Sequence, residues 1–285
     1  MEREKYFMSK HLGKALLASC LLFTVSAVRS EEPVQELFRN DKADFRASEK
    51  LSARRDPKAY TIDPASIRIT RLEAVEEKDL SYLGPVVSEV GGALVIIDQI
   101  INIASKVWNI IQQNAPVVNI DTQYAAAVPQ GITAWNQLSE WKKPKSYIYG
   151  FRAKNLYGAS TVDVKYKVIF TPDGKYKGKG RYLTGVTVVP TVVNVSWGYR
   201  FSLTAQVPDS TIINEGTDED PIASLQLKIA WRISSAIKST DGASVYYIRG
   251  DGGFEEIANP FARKEVKMED VKSAVPLLLD PAGVF

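Results

Sequence analysis

The sequence predicts an α+β fold that is mainly β: an antiparallel sandwich of about seven strands preceded by one long apolar-faced helix. Three observations predict it. Beyond Pro116, apolar residues recur at every second position, so side chains alternate between a greasy and a polar face. Val193, Val195, Trp197, Tyr199, Phe201, Leu203, Ala205 and Val207 form the longest such series, opposite Asn194, Ser196, Arg200, Ser202, Thr204 and Gln206. From Val86 to Asn114, by contrast, Asp98, Asn102, Ser105, Asn109 and Gln112 recur at steps of three and four, the spacing of a narrow polar stripe on a helix.

Residues 1–30 read as a cleavable export signal. Basic residues Arg3, Lys5, Lys10 and Lys14 precede the apolar run Ala15 to Ala27, and Val25-Ser26-Ala27 offers small residues for cleavage, with Ser30 as the other cut point. Leu17-Ala18-Ser19-Cys20 also fits a lipobox. The apolar run ahead of Cys20 is shorter than the roughly 7–15 residues of an h-region, which favours a free exported chain over a lipoprotein anchored at Cys20. The expected location is therefore the periplasm, the outer membrane surface or the exterior.

The chain's 1 His and 1 Cys are His11 and Cys20, both inside this signal. A processed chain has neither, which excludes an imidazole base, a thiol nucleophile, thiolate or imidazole zinc sites and disulfides. No cofactor or metal motif is present in the remainder. The signal also holds Arg3, Lys5, Lys10, Lys14 and Arg29 against Glu2 and Glu4, which accounts for the whole net charge of +3. Residues 31–285 are thus neutral overall, and no global attraction to nucleic acid follows.

Residues 31–58 are a charged lead-in with few apolar positions, read as a solvated helix, a disordered segment or a tether. Residues 59–274 form the expected β-rich domain, and 275–285, with Pro276 and Pro281, a C-terminal tail. Ile67, Ile69 and Leu72 after Pro64 indicate a short edge strand. The helix over 86–114 is interrupted by Asp98 and Lys106, which argues against a membrane span. Its apolar side, Ile97, Ile100, Ile101, Ala104, Trp108 and Ile111, has three uses: packing on a sheet, an oligomer seam, or insertion into lipid about a Gly91-Gly92 hinge.

Further along, Val162 to Phe170 and Leu225 to Ile233 alternate strictly, and Tyr147–Asn155, Tyr182–Val189 and Val245–Arg249 complete the strand set. Thr171-Pro172-Asp173-Gly174 reads as a turn. An outer-membrane barrel is opposed by the lysines on the polar face and by the prolines of the tail.

The segment Lys142 to Arg181 is strongly basic, with only Asp163 and Asp173 opposing it. Lys175, Lys177, Lys179 and Arg181 sit together after the turn, a candidate site for an anionic polysaccharide or membrane surface, or else lysines that guard an edge. Glu215 to Pro221 reads as an acidic loop without EF-hand spacing, Arg249-Gly250-Asp251 as a turn, and Asn194-Val195-Ser196 as a sequon inside a strand. The favoured function is an exported, non-enzymatic binding or structural protein of the bacterial envelope or exterior, with homo-oligomerisation open. A pore-forming protein using helix 86–114 is the alternative, and a carboxylate-dependent hydrolase is third.

Overall fold

A computed structural model of the chain describes residues 34–39, 41, 43–76, 94–117 and 123–261. The chain divides into two compact units, Met1–Glu31 and Glu32–Phe285, and every described residue belongs to the second. The expected signal, residues 86–93 and the tail 275–285 lie outside the described residues.

Two antiparallel sheets make up the described fold. In chain order the strands are β1 (Arg68–Glu76), β2 (Ile96–Ile101), β3 (Val107–Gln112), β4 (Ala115–Pro116), β5 (Ala125–Gln130), β6 (Lys145–Lys154), β7 (Ser160–Tyr176), β8 (Lys179–Val195), β9 (Tyr199–Gln206), β10 (Ile213–Asn214), β11 (Ala223–Ser235), β12 (Ser239–Arg249) and β13 (Phe254–Ala258). The first sheet has the order β1-β6-β7-β8-β5-β2, and the second β13-β12-β11-β9-β3-β4 with β10 paired to β11. The alternating segments Val162 to Phe170 and Leu225 to Ile233 keep their apolar faces inward. Tyr149, Phe151, Tyr166 and Phe170 of the first sheet are buried against Phe201, Leu225, Trp231 and Tyr246 of the second. Phe151 sits 4.9 Å from Phe201 and 5.1 Å from Trp231, centroid to centroid, and the Tyr166 and Tyr246 hydroxyls meet at 3.2 Å across the layers.

The long helix is overturned. Ile96–Ile101 and Val107–Gln112 form β2 and β3, one in each sheet. The reason is local. Ile96, Ile97, Ile100, Ile101, Val107, Ile110 and Ile111 are β-branched, and their stiff χ1 favours a strand. Between the strands the Asn102 carboxamide oxygen accepts from the Ala104 and Ala126 N–H groups, which turns the chain. A register shift between Asn109 and Ile111 adds one residue to β3, so Asn109 and Gln112, three apart, both face outward. That bulge imitates the three-residue step of a helix.

A second correction concerns Trp197, which the alternation places in the core. β8 ends at Val195 and β9 begins at Tyr199 in the other sheet, so Ser196-Trp197-Gly198 carries the chain between layers. Gly198 has φ +81°, and a Cβ there would lie 2.4 Å from the Tyr60 ring. The three-residue link preserves the parity of the alternation, so Tyr199 is inward while Trp197 stays 55 % exposed.

The charged lead-in holds two helices, α1 (Val34–Leu37) and α2 (Ala47–Arg55), then a 3₁₀ turn at Pro57–Tyr60. Its buried Phe38 and Phe45 lie against the outer face of the second sheet. Arg200 sits over the Phe45 ring at 4.9 Å and Arg232 over the Phe38 ring at 4.8 Å, while an Arg232 N–H donates to the Phe38 carbonyl at 3.1 Å.

Candidate functional site

The polar end of the sandwich is built on the β7–β8 hairpin, whose turn is Lys177-Gly178. Both residues have positive φ, 49° and 78°, the geometry of a type I′ turn whose twist matches the strands. The expected turn at Thr171–Gly174 is instead an irregular stretch within β7, where the pairing with β8 shifts register. Asp173 has φ 69° and donates its N–H to the Gly250 carbonyl at 2.7 Å. Gly174 leaves room for the Trp141 ring, which a Cβ would approach to 2.3 Å.

Three sequence features treated separately converge on this hairpin: its own cations, the acidic loop 215–221 and the Arg249-Gly250-Asp251 turn. The Arg181 N–H donates to Pro221 O at 2.8 Å, and Gly180 N–H to the Asp220 carboxylate at 3.0 Å. Gly250 donates to Ala223 O at 2.7 Å, and a Cβ on it would lie 2.0 Å from the Arg181 carbonyl oxygen, so only glycine fits. Arg249 forms ion pairs with Glu215 at 3.0 Å and Asp251 at 3.1 Å. The tripeptide is therefore fixed into the sheet end and its arginine is engaged.

Lys142, Asp173, Lys175, Arg181, Asp220 and Asp251 line a cleft of about 380 Å³, with Gly178 and Gly180 completing the wall. Asp173 is its buried centre, 2.6 Å from the Lys142 ammonium and 4.0 Å from the Arg181 guanidinium. Arg181 also lies 3.9 Å from Asp220, and Lys175 donates to Glu140 at 2.7 Å. That hydrogen bond, with the charge of Glu140, pushes the Lys175 ammonium above its ordinary pKa. Lys177 stands 5.2 Å over the Tyr176 ring, and neither it nor Lys179 has a carboxylate partner among the described residues. Half-buried aromatics continue from the cleft: Trp141 meets Trp135 at 6.4 Å, and Trp135 meets Tyr124 at 6.4 Å.

Of the sequence candidates, Lys175 and Arg181 line this cleft, and Lys177 and Lys179 form the tip of the same hairpin. The supposed helix face is dispersed. Ile97, Ile100 and Ala104 are half-buried, Ile101 is 37 % exposed on β2, and Trp108 and Ile111 belong to the core beneath the second sheet. The buried Tyr182 hydroxyl donates to Ile97 O at 2.9 Å and fastens β2 to β8. Residues the sequence reading passed over are Glu140, Trp135, Trp141 and Tyr124. The tryptophans stood out only as large aromatics among short polar runs, a weak signal. Among the described residues no cluster of three or more histidine, cysteine or carboxylate ligands is arranged for a metal ion. Comparison of the chain with family models, curated proteins and solved structures gives no match.

Proposed function

We propose that the chain is an exported, non-enzymatic binding module of the bacterial envelope or exterior, and that its hairpin cleft takes a polysaccharide. The supporting observation is the cleft itself. Asp173, Asp220 and Asp251 offer acceptors, Lys142, Lys175 and Arg181 offer donors, and the opposing charges are interleaved. Such a lining suits a ligand rich in hydroxyls, each of which both donates and accepts. The adjoining Trp141–Trp135–Tyr124 row adds apolar faces of the kind that ring faces of sugars cover. Lys177 and Lys179 at the tip favour acidic glycans over neutral ones.

An anionic bilayer is a poorer ligand for this end. Lys175 and Arg181 are engaged by Glu140, Asp173 and Asp220, so two of the four hairpin cations remain. At about 1 kcal/mol per cation near charged lipid, two give about 2 kcal/mol, too little for stable attachment. Pore formation by helix 86–114 loses its element, since Ile96–Ile101 and Val107–Gln112 are strands, one in each sheet.

Titration calorimetry with a soluble polyuronate and a neutral glucan tests the reading. Lys177→Gln/Lys179→Gln is expected to weaken polyuronate binding about tenfold and to leave the glucan nearly unchanged. Asp251→Asn, which alters the wall without entering the core, should weaken both. Binding indifferent to every one of these changes sinks the proposal, and release of shortened glycan would replace a binding module with a carboxylate hydrolase.

A further inference from the structure

The opposite end of the sandwich carries the largest exposed aromatic group among the described residues. β7 is 17 residues long, so its Ser160 end lies roughly 50 Å from the hairpin tip at about 3.3 Å per residue. Here the β6–β7 loop and the β8–β9 link meet the 3₁₀ turn of the lead-in. Trp197 is 55 % exposed, Tyr157 62 % and Leu156 49 %. All three are held in place. The Trp197 ring packs edge-on to Tyr60 at 6.1 Å, the Tyr157 hydroxyl donates to Asp56 at 3.1 Å, and Leu156 N–H donates to Thr61 O at 3.1 Å. Gly158, with φ +80° and nothing within 4 Å of a built Cβ, forms the open tip of the loop.

Cations flank this apolar group in the chain. Arg54, Arg55, Lys58 and Lys154 are exposed and lie within two residues of Asp56 or Leu156. The carboxylates of the same stretch are Asp56, which accepts from Ala59 N–H and Tyr157, and Asp63, which accepts from Ala65 N–H. Positive charge is therefore in excess. The β11–β12 turn reaches the same end, because Tyr199 pairs with Ser235, and it adds exposed Ile237 and Lys238.

We propose that this end docks peripherally on an anionic lipid bilayer, with Trp197, Tyr157 and Leu156 entering the headgroup layer and the arginines and lysines facing lipid phosphates. Trp and Tyr suit that layer because each has an apolar body and a polar tip. Peripheral attachment holds when two weak signals combine, apolar insertion and a basic patch. The hairpin end has only the second; this end has both. The hairpin cleft would then point away from the bilayer, so the inference stands apart from the polysaccharide reading and neither depends on the other.

The test uses the full chain with vesicles of phosphatidylglycerol and brominated phosphatidylcholine, against vesicles of brominated phosphatidylcholine alone. Quenching of tryptophan fluorescence is expected only with phosphatidylglycerol present, is lost in Trp197→Phe, and fades as salt is raised. Leu156→Ala/Tyr157→Ala and, separately, Arg54→Gln/Arg55→Gln/Lys58→Gln, both of which keep Trp197 as the reporter, should each reduce the quenched fraction about tenfold, with the circular-dichroism melt confirming that the variants fold. The second variant alters only exposed side chains, so the proposal stays testable if the first fails to fold. Quenching that survives Trp197→Phe, its absence from every vesicle, or a Trp197 response to soluble glycan instead of lipid overturns the proposal.

Discussion

Arg200 holds Glu49 through two parallel hydrogen bonds of 3.0 Å each, joining α2 to the outer face of β9. The Glu49 side chain is 2 % exposed, and it also accepts from the Arg46 N–H at 2.7 Å. Burial pushes its carboxyl pKa up, but the bonds from Arg200 and Arg46 and their charges outweigh burial, and the net value falls below the ordinary 4.5. Removing one partner strands the other, so Glu49→Gln should cost about 3 kcal/mol in a denaturant melt. Because the folded pKa is depressed, the contribution is complete above about pH 4.5 and is lost as pH falls through the folded value. Melting curves of wild type and Glu49→Gln should therefore converge in acid, and a gap that persists or widens there would contradict the assignment.

The two tryptophans of the alternating strands should respond in opposite ways. Trp231 is buried between Phe151 and Phe261, at 5.1 Å from each ring, so Trp231→Ala should cost about 3–5 kcal/mol. Trp197 touches Tyr60 and otherwise faces solvent, so Trp197→Ala should cost under about 1 kcal/mol. Chemical denaturation of both variants checks the order, and a large loss at Trp197 would return it to the core.

The hairpin turn offers a test of backbone geometry. Lys177 occupies φ 49°, where Asn is at ease and a long side chain is not. Lys177→Asn should raise stability by about 0.5 kcal/mol, and Gly178→Ala, at φ 78°, should lower it by about 1 kcal/mol. Thermal melts read both, and equal effects of the same sign would exclude a type I′ turn.

Strands were legible where period two runs unbroken: Val162 to Phe170 and Leu225 to Ile233 lie within β7 and β11 with their apolar residues inward. Legibility failed where one residue was added or a layer was changed. The bulge at Asn109–Ile111 produced a helical spacing, and the Ser196–Gly198 link kept parity while leaving the sheet. The cations Lys175 and Arg181 were legible as a cluster, but their partners were not. Asp220 and Asp251 arrive from loops 39 and 70 positions beyond Arg181, and no spacing along a single strand encodes that meeting.

One seam decides when the fold can be finished. Ile69 of β1 donates its N–H to the Phe261 carbonyl at 3.4 Å, and the Asn259 amide donates to Ile69 O at 3.3 Å, so the first strand of one layer is closed by the chain just after the last strand of the other. At about 5–20 residues per second, the ribosome takes roughly 10–40 s to make the stretch between them. During that time β1 lacks its neighbour on this side and the loop to be closed is long, which slows completion of the sandwich. β1 therefore stays an open edge, available for pairing with another chain, until Asn259 and Phe261 have been made.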